Sequence, residues 1–160
     1  MTVTPTYIPL ATTTLGSTAT SVTFGSIPAT YRDLILVINP IDSTSGTGDF
    51  INLRFNGDTG SNYSRVAMIG NGSAASTTTR TDNGIDLEIN GTHHFHQIQI
   101  MDYSASDKHK TALIRLNLPE LRVYAMASRW ANTAAITSLS CSSAAASFTI
   151  GSTFSLYGIH

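Results

Sequence analysis

Apolar and polar residues alternate along this chain in short runs punctuated by turn residues, a pattern of strands rather than helices. Ile51, Leu53 and Phe55 share one face of their run, and Asn52 and Arg54 share the other. Ile98 and Ile100 oppose Gln97 and Gln99, Phe148 points with Ile150, and Phe154 points with Leu156. This two-residue period is expected of antiparallel sheets buried on one side. The run Leu34-Ile35-Leu36-Val37-Ile38 is apolar on both faces, which predicts a central strand or one covered by a neighbouring subunit. Helix signals are weak, because Thr, Ser, Asn and Gly are poor in helix interiors and β-branched residues favour strands.

The runs predict strands over residues 7–15, 21–27, 33–41, 49–55, 64–69, 85–90, 95–103, 110–117, 123–130, 136–142 and 148–157. Between them, Asn56-Gly57-Asp58, Asn71-Gly72, Asp82-Asn83-Gly84 and Asn90-Gly91 supply residues that tolerate positive φ. Ile27-Pro28 and Leu118-Pro119 end their strands, since proline cannot donate to a ladder. Roughly ten short strands with regular punctuation predict an all-β fold: an antiparallel β-sandwich, jelly-roll-like. The alternative is a β-rich fold with one short helix over 118–126. Residues 11–20, 72–81 and 140–147 are of low complexity, and the middle stretch reads as a long surface loop. No repeat or linker divides the chain, so residues 1–160 are expected to form one domain.

Composition narrows the function. Charged residues make up 12% of the chain, about half the usual globular share, while 23 Thr and 19 Ser supply the polar surface. With nine basic and ten acidic residues the net charge is −1. That balance argues against nucleic acid, whose phosphates demand concentrated positive charge. No polybasic segment suits an anionic membrane, no apolar run approaches a spanning helix, and Met1-Thr2-Val3-Thr4-Pro5 lacks a signal-peptide pattern. A weakly charged surface repels its neighbours little, which favours a protein that works packed in an assembly.

Candidate chemistry is sparse. His94 and His96, in Thr92-His93-His94-Phe95-His96, would share one strand face and are weak candidates for a metal pair, with Asp102 or Glu88 as a further ligand. The favoured expectation is a polar strand end with no metal and no cofactor. His109 reads as part of a solvated hairpin tip, and His160 as an exposed terminus. Asp82, Asp86 and Glu88 are the closest carboxylates, and they read as exposed edge-strand charges that discourage edge pairing rather than as an acid–base pair. Lone Cys141 cannot form an internal disulfide and reads as a small buried residue. Gly46-Thr47-Gly48 opens no helix and is not a phosphate loop, and no Gly-x-Ser-x-Gly elbow occurs. Three glycosylation sequons, at Asn62, Asn71 and Asn90, read as coincidence in a chain rich in Asn, Ser and Thr. An aromatic platform for sugar is available in principle from Trp130, Tyr63, Tyr103 and Tyr124, although core packing is the commoner fate of Trp130.

Several stretches together resemble a family. Ala11-Thr12-Thr13-Thr14-Leu15-Gly16-Ser17, then Val22-Thr23-Phe24-Gly25-Ser26-Ile27-Pro28 and Tyr31, look like the N-terminal half of small virion proteins of tailed bacteriophages, notably phages of aquatic bacteria, including cyanobacteria. The most specific piece is Ile51-Asn52-Leu53-Arg54-Phe55-Asn56-Gly57-Asp58-Thr59-Gly60-Ser61-Asn62-Tyr63-Ser64. Met101-Asp102-Tyr103-Ser104 with Lys110-Thr111, Ile136-Thr137-Ser138-Leu139 and Phe154-Ser155-Leu156-Tyr157-Gly158-Ile159 extend it over almost the whole chain. Leu118-Pro119-Glu120-Leu121-Arg122 departs from it, standing where a Gly- and Asn-rich segment is expected. The resemblance implies a capsid decoration (cement) protein and no enzyme. It implies a homotrimer on the capsid surface, assembled in the bacterial cytoplasm, that bridges subunits of the major capsid protein. Relatives in tails or fibres would instead bind host glycans. In such a role residues 1–9, with Pro5 and Pro9, make a candidate N-terminal arm.

Overall fold

A computed structural model describes residues 5–43, 49–90, 94–144 and 147–160. The described chain is all β, with twelve strands: β1 (Tyr7–Thr14), β2 (Ser21–Phe24), β3 (Asp33–Asn39), β4 (Asp49–Phe55), β5 (Tyr63–Gly70), β6 (Ala75–Asp82), β7 (Ile85–Ile89), β8 (Phe95–Met101), β9 (Lys110–Leu118), β10 (Arg122–Trp130), β11 (Leu139–Ser143) and β12 (Thr153–Ile159). An eight-stranded sheet has the order β1-β12-β3-β8-β9-β10-β5-β6, and a four-stranded sheet the order β2-β11-β4-β7. Every neighbouring pair is antiparallel.

The winding is a jelly roll with two insertions. Without the hairpins β5–β6 and β9–β10, the strands divide into β1-β12-β3-β8 and β2-β11-β4-β7. The chain then changes sheet at every connection except that from β4 to β7, the double Greek-key path of the jelly roll. Both inserted hairpins join the large sheet beyond β8, where β8-β9-β10-β5-β6 makes a wing wider than the small sheet.

Alternation places the core between the sheets. Leu34, Leu36 and Ile38 of β3, Ile51, Leu53 and Phe55 of β4, and Ile98 and Ile100 of β8 are all completely buried, within one hydrophobic cluster fed by both sheets. The expectation for residues 34–38 resolves as a central strand: β3 lies between β12 and β8, with Ile35 on its other face also buried. Phe154 and Leu156 point inward together as predicted, but Phe148 and Ile150 do not. Phe148 is buried edge-on against Phe154, ring centroids 5.1 Å apart, and held by single bridges to Ala19 and Asp42. Ile150 is exposed in the turn before β12.

Two local expectations are corrected. Residues 75–82 are not a loop but strand β6, paired with β5 in unbroken register from Gly70↔Ala75 to Tyr63↔Asp82. This threonine-rich strand lies at the wing tip and is mostly exposed, so β-branched propensity and pairing form it with no apolar alternation to announce it. The alternative helix over 118–126 is a hairpin. Leu121 N–H bonds to the Leu118 carbonyl at 3.0 Å, Pro119 supplies the first turn position and Glu120 takes φ 64° at the second.

The asparagine turns behave individually. Asn56 (φ 53°) and Gly57 (φ 67°) both adopt positive φ, and Asp58 N–H closes the turn on Phe55 O at 3.0 Å. The Asn56 side chain also ties the 135–138 segment, donating to Ala135 O at 2.8 Å and accepting from Thr137 N–H at 2.8 Å and Ser138 N–H at 3.1 Å. Gly84 has no positive φ; it is needed because the Asn52 side chain fills the space of a Cβ. Asn90-Gly91 runs into residues outside those described, as does Gly46-Thr47-Gly48. At the N-terminus, Tyr7, Ile8 and Pro9 pair with β12, and the register shifts between Pro9 and Ala11, so only residues before Tyr7 remain available as an arm; residues 1–4 lie outside the described chain.

Gly158 marks a close approach in the core. The Tyr31 ring occupies the space a Cβ would need, and Tyr31 also packs on His160 at 5.0 Å. Gly158→Ala is therefore expected to displace Tyr31 and lower the stability by about 1–3 kcal/mol in urea denaturation; an unchanged midpoint would show that Tyr31 moves aside without cost.

Candidate functional site

His94 and His96 do share a face, but it is the face toward the core. His96 is fully buried, opposite Ile38 on β3 and Leu116 on β9. His94 accepts the Asn90 N–H on Nε2 at 2.9 Å, with its ring centroid 6.5 Å from that of His96. Burial, aided by neighbouring His94, pushes His96 down to about 3 and keeps it neutral. The further ligands considered for the pair are engaged elsewhere. Asp102, with φ 48° after β8, meets Lys108 Nζ at 3.3 Å, and Glu88 meets Arg122 and Tyr124. Among the described residues no group of three or more His, Cys, Asp or Glu is placed to hold a metal ion. His93 lies outside the described residues, while His109 and His160 are exposed.

Asp86 and Glu88 line a cleft of ≈ 430 Å³ between the β7 edge and the underside of the wing, and Asp82 is tied to it through Arg65. They are matched by arginines rather than left to share a proton. Arg65 Nη2 approaches Asp86 at 3.7 Å and its Nε approaches Asp82 at 3.9 Å, while Arg80 stands 3.8 Å from Asp86. Asn52 Nδ2 donates to Asp86 at 2.8 Å. Arg122 Nη1 meets Glu88 at 3.3 Å, and the Tyr124 hydroxyl donates to the same carboxylate. Burial raises the Glu88 carboxyl above its ordinary value against the pull of Arg122. The expectation of exposed edge charges thus needs correction: Glu88 and Arg65 are buried, because the wing overhangs the edge they stand on. Sequence showed the acids, but their arginine partners come from β5, β6 and β10, and only the inserted hairpins bring those near.

The aromatic candidates separate. Trp130, Tyr63 and Tyr103 are buried. Trp130 packs edge-on to Phe55 at 5.7 Å and stacks near Tyr63 at 6.4 Å, while its Nε1–H donates to Asp58 Oδ2 at 2.7 Å. That donation, with those of Asn62 and the Gly60 N–H, holds the Asp58 carboxyl below the usual carboxylate range. Tyr103 hydrogen-bonds the Pro28 carbonyl. Tyr124 is the half-buried member and lines the cleft with Phe50. Cys141 is buried on β11, where desolvation pushes its thiol up to about 12.

The feature that sequence reading missed is the outer face of the wing. Registers align its outward residues in four rungs across β8, β9, β10, β5 and β6: Phe95-Asn117-Val123-Gly70-Ala75, Gln97-Arg115-Ala125-Met68-Thr77, Gln99-Leu113-Ala127-Val66-Thr79 and Met101-Thr111-Arg129-Ser64-Thr81. Phe95, Leu113, Val123, Val66 and Met68 are each between 43% and 64% exposed. A groove of ≈ 830 Å³ runs along the first rungs between Phe95, Val123, Met68 and Ala75. Water is a poor neighbour for so continuous an apolar sheet face, and such patches mark interaction surfaces. The signal was present as Leu113, Val123, Val66 and Met68 on the second face of their strands, but it becomes one patch only once four strands from two hairpins lie side by side.

Searches against protein-family models, curated proteins and solved structures find no match to the chain.

Two outcomes follow from the buried groups. Between pH 6.5 and about 3 the unfolded chain protonates His96 while the folded chain does not. Stability should therefore fall on acidification from pH 6.5, by up to about 1.4 kcal/mol per pH unit from this group. Urea titrations at pH 7 and 5 should give a smaller loss for His96→Leu than for the parent, and equal losses would refute the assignment. Cys141 should resist thiol reagents at pH 8 in the native protein and react fully in denaturant.

Proposed function

We propose that this chain is a structural virion protein of a tailed bacteriophage. It decorates the outer surface of the capsid as a homotrimer and cements it by binding between subunits of the major capsid protein, acting by contact rather than catalysis. Assembly takes place in the bacterial host cytoplasm. The observation that carries the reading is the exposed apolar outer face of the wing, a surface suited to lasting contact with other protein. The low charge of the chain and the resemblance over almost its whole length support it. So does the jelly-roll winding, by fold-level analogy alone, since capsid and lectin domains both use it. Individually weak contacts suffice when a trimer engages several shell subunits at once.

A second reading, a tail or fibre module that binds host glycan, is favoured by the cleft beneath the wing. There Tyr124 offers an aromatic surface among carboxylates and guanidinium groups, the mixture a polyhydroxylated ligand would meet. Trp130, Tyr63 and Tyr103 offer it no platform. Copy number in purified virions, from quantitative mass spectrometry against the major capsid protein, separates the two. A ratio near one or a simple fraction of it is expected for the cement role. A few copies per particle would overturn that role and shift attention to saturable glycan binding sensitive to Tyr124→Ala.

A further inference from the structure

We propose that the outer face of the wing is the surface by which this chain seats on the capsid shell, not the surface by which its copies associate. It would take a protein partner that is apolar at its centre and carries carboxylates at its rim. This rests on the capsid reading and adds to it which face is used and what chemistry the shell presents.

Charge distinguishes the two kinds of contact. Arg115 and Arg129 are the only charged side chains at the outward positions of β8, β9, β10, β5 and β6, and both are exposed. Neither makes an ion pair among those seen in the described residues. Elsewhere acids pair with bases: Asp86 with Arg65 and Arg80, Glu88 with Arg122, Asp102 with Lys108 and Asp33 with Arg32. Two cations on an apolar face without a carboxylate are complementary to a partner that supplies the acids.

A second copy of the same face does not. Two such faces in contact would bring four guanidinium groups together around a desolvated apolar centre, with no carboxylate from either. The chain's other exposed acids lie on loops: Asp102 and Asp107 between β8 and β9, and Glu120 at the β9–β10 turn. None of these belongs to a flat surface able to cover four rungs of sheet. Arg115 and Arg129 stand on adjacent strands two rungs apart, which places their attachment points about 14 Å from each other by ideal strand geometry. Leu113, Ala125, Ala127, Val66 and Met68 lie within and beside that span. The partner should therefore present two acidic groups at a similar spacing around an apolar patch. The trimer contact then uses another surface.

The test uses the purified full chain and shells of the encoding phage stripped of this protein, with co-sedimentation as the readout. Wild type should bind, and its affinity should fall at least tenfold between 50 and 500 mM salt, because the rim contacts are ionic. Arg115→Glu with Arg129→Glu should weaken binding at least tenfold at low salt, and Leu113→Asp with Met68→Asp should abolish it. Ile150→Asp, at an exposed apolar residue outside the wing, should bind as wild type does. All five positions are exposed, and near-ultraviolet dichroism from buried Trp130 checks that each variant is folded. Sedimentation equilibrium should give all variants the wild-type oligomeric mass. If the Leu113→Asp/Met68→Asp protein instead falls to monomer, the face is a self-contact and the proposal is overturned. If wild type and all variants bind alike, the capsid reading stands and the face assignment fails. If wild type does not bind stripped shells, the capsid reading fails and this assignment with it.

Discussion

Four strands cannot cover eight. The small sheet β2-β11-β4-β7 seals the inner face of the large one only over part of its width, and the rest of the structure follows from that mismatch. Where the sheets overlap, aliphatic and aromatic side chains from both fill one core, and burying that surface supplies the main drive to fold. Where the large sheet runs past the edge of the small one, the inner positions change from Ile and Leu to Arg65, Arg80 and Asp82. These positions can hold charge because each ion finds an opposite one: Arg65 and Arg80 reach Asp86 across the cleft, and Asp82 faces Arg65 on the neighbouring strand.

The inserted hairpins account for the second departure from an ordinary jelly roll. In a sandwich the outer faces meet water and are expected to be polar. On the original strands of the large sheet that holds in part, with Gln97 and Gln99 on β8 and Ser155 on β12 outward. On β9, β10 and β5 the outward positions instead include Leu113, Val123, Ala125, Ala127, Val66 and Met68, set among Arg115, Arg129 and a few small polar residues. No demand of the internal core explains them, since the core lies on the opposite side of the sheet. The fold itself has no use for an apolar surface there.

Much of the architecture could be read from the chain. The antiparallel strands, the central place of residues 33–39 and the Asn56-Gly57 turn follow from alternation, apolar continuity and left-handed φ preference. The reading failed where those signals have no physical source. β6 contacts almost no core, so its threonines lack alternation and resemble a loop. Phe148 and Ile150 have strand spacing, but the chain turns between them. Glu120 holds a positive φ with no glycine or asparagine to announce it, because Pro119 and the hairpin closure enforce the turn. For the candidate site, the face shared by His94 and His96 was legible from their spacing, while its direction was not, because a period of two does not say which side is the core.

The sequence by itself determined that this chain forms antiparallel sheets with one buried face, that its surface is hydroxyl-rich and weakly charged, and where most strands turn. These depend on interactions within a few residues, through backbone preference and the alternation of neighbouring side chains. Only the tertiary structure decided that two hairpins, separated along the chain by residues 83–109, lie side by side as a wing. It alone set the arginines of three strands against the acids of β7. It alone merged single outward apolar residues into one continuous patch. Those outcomes depend on which strands become neighbours, and strand order is fixed by the closure of the whole sandwich rather than by any local run.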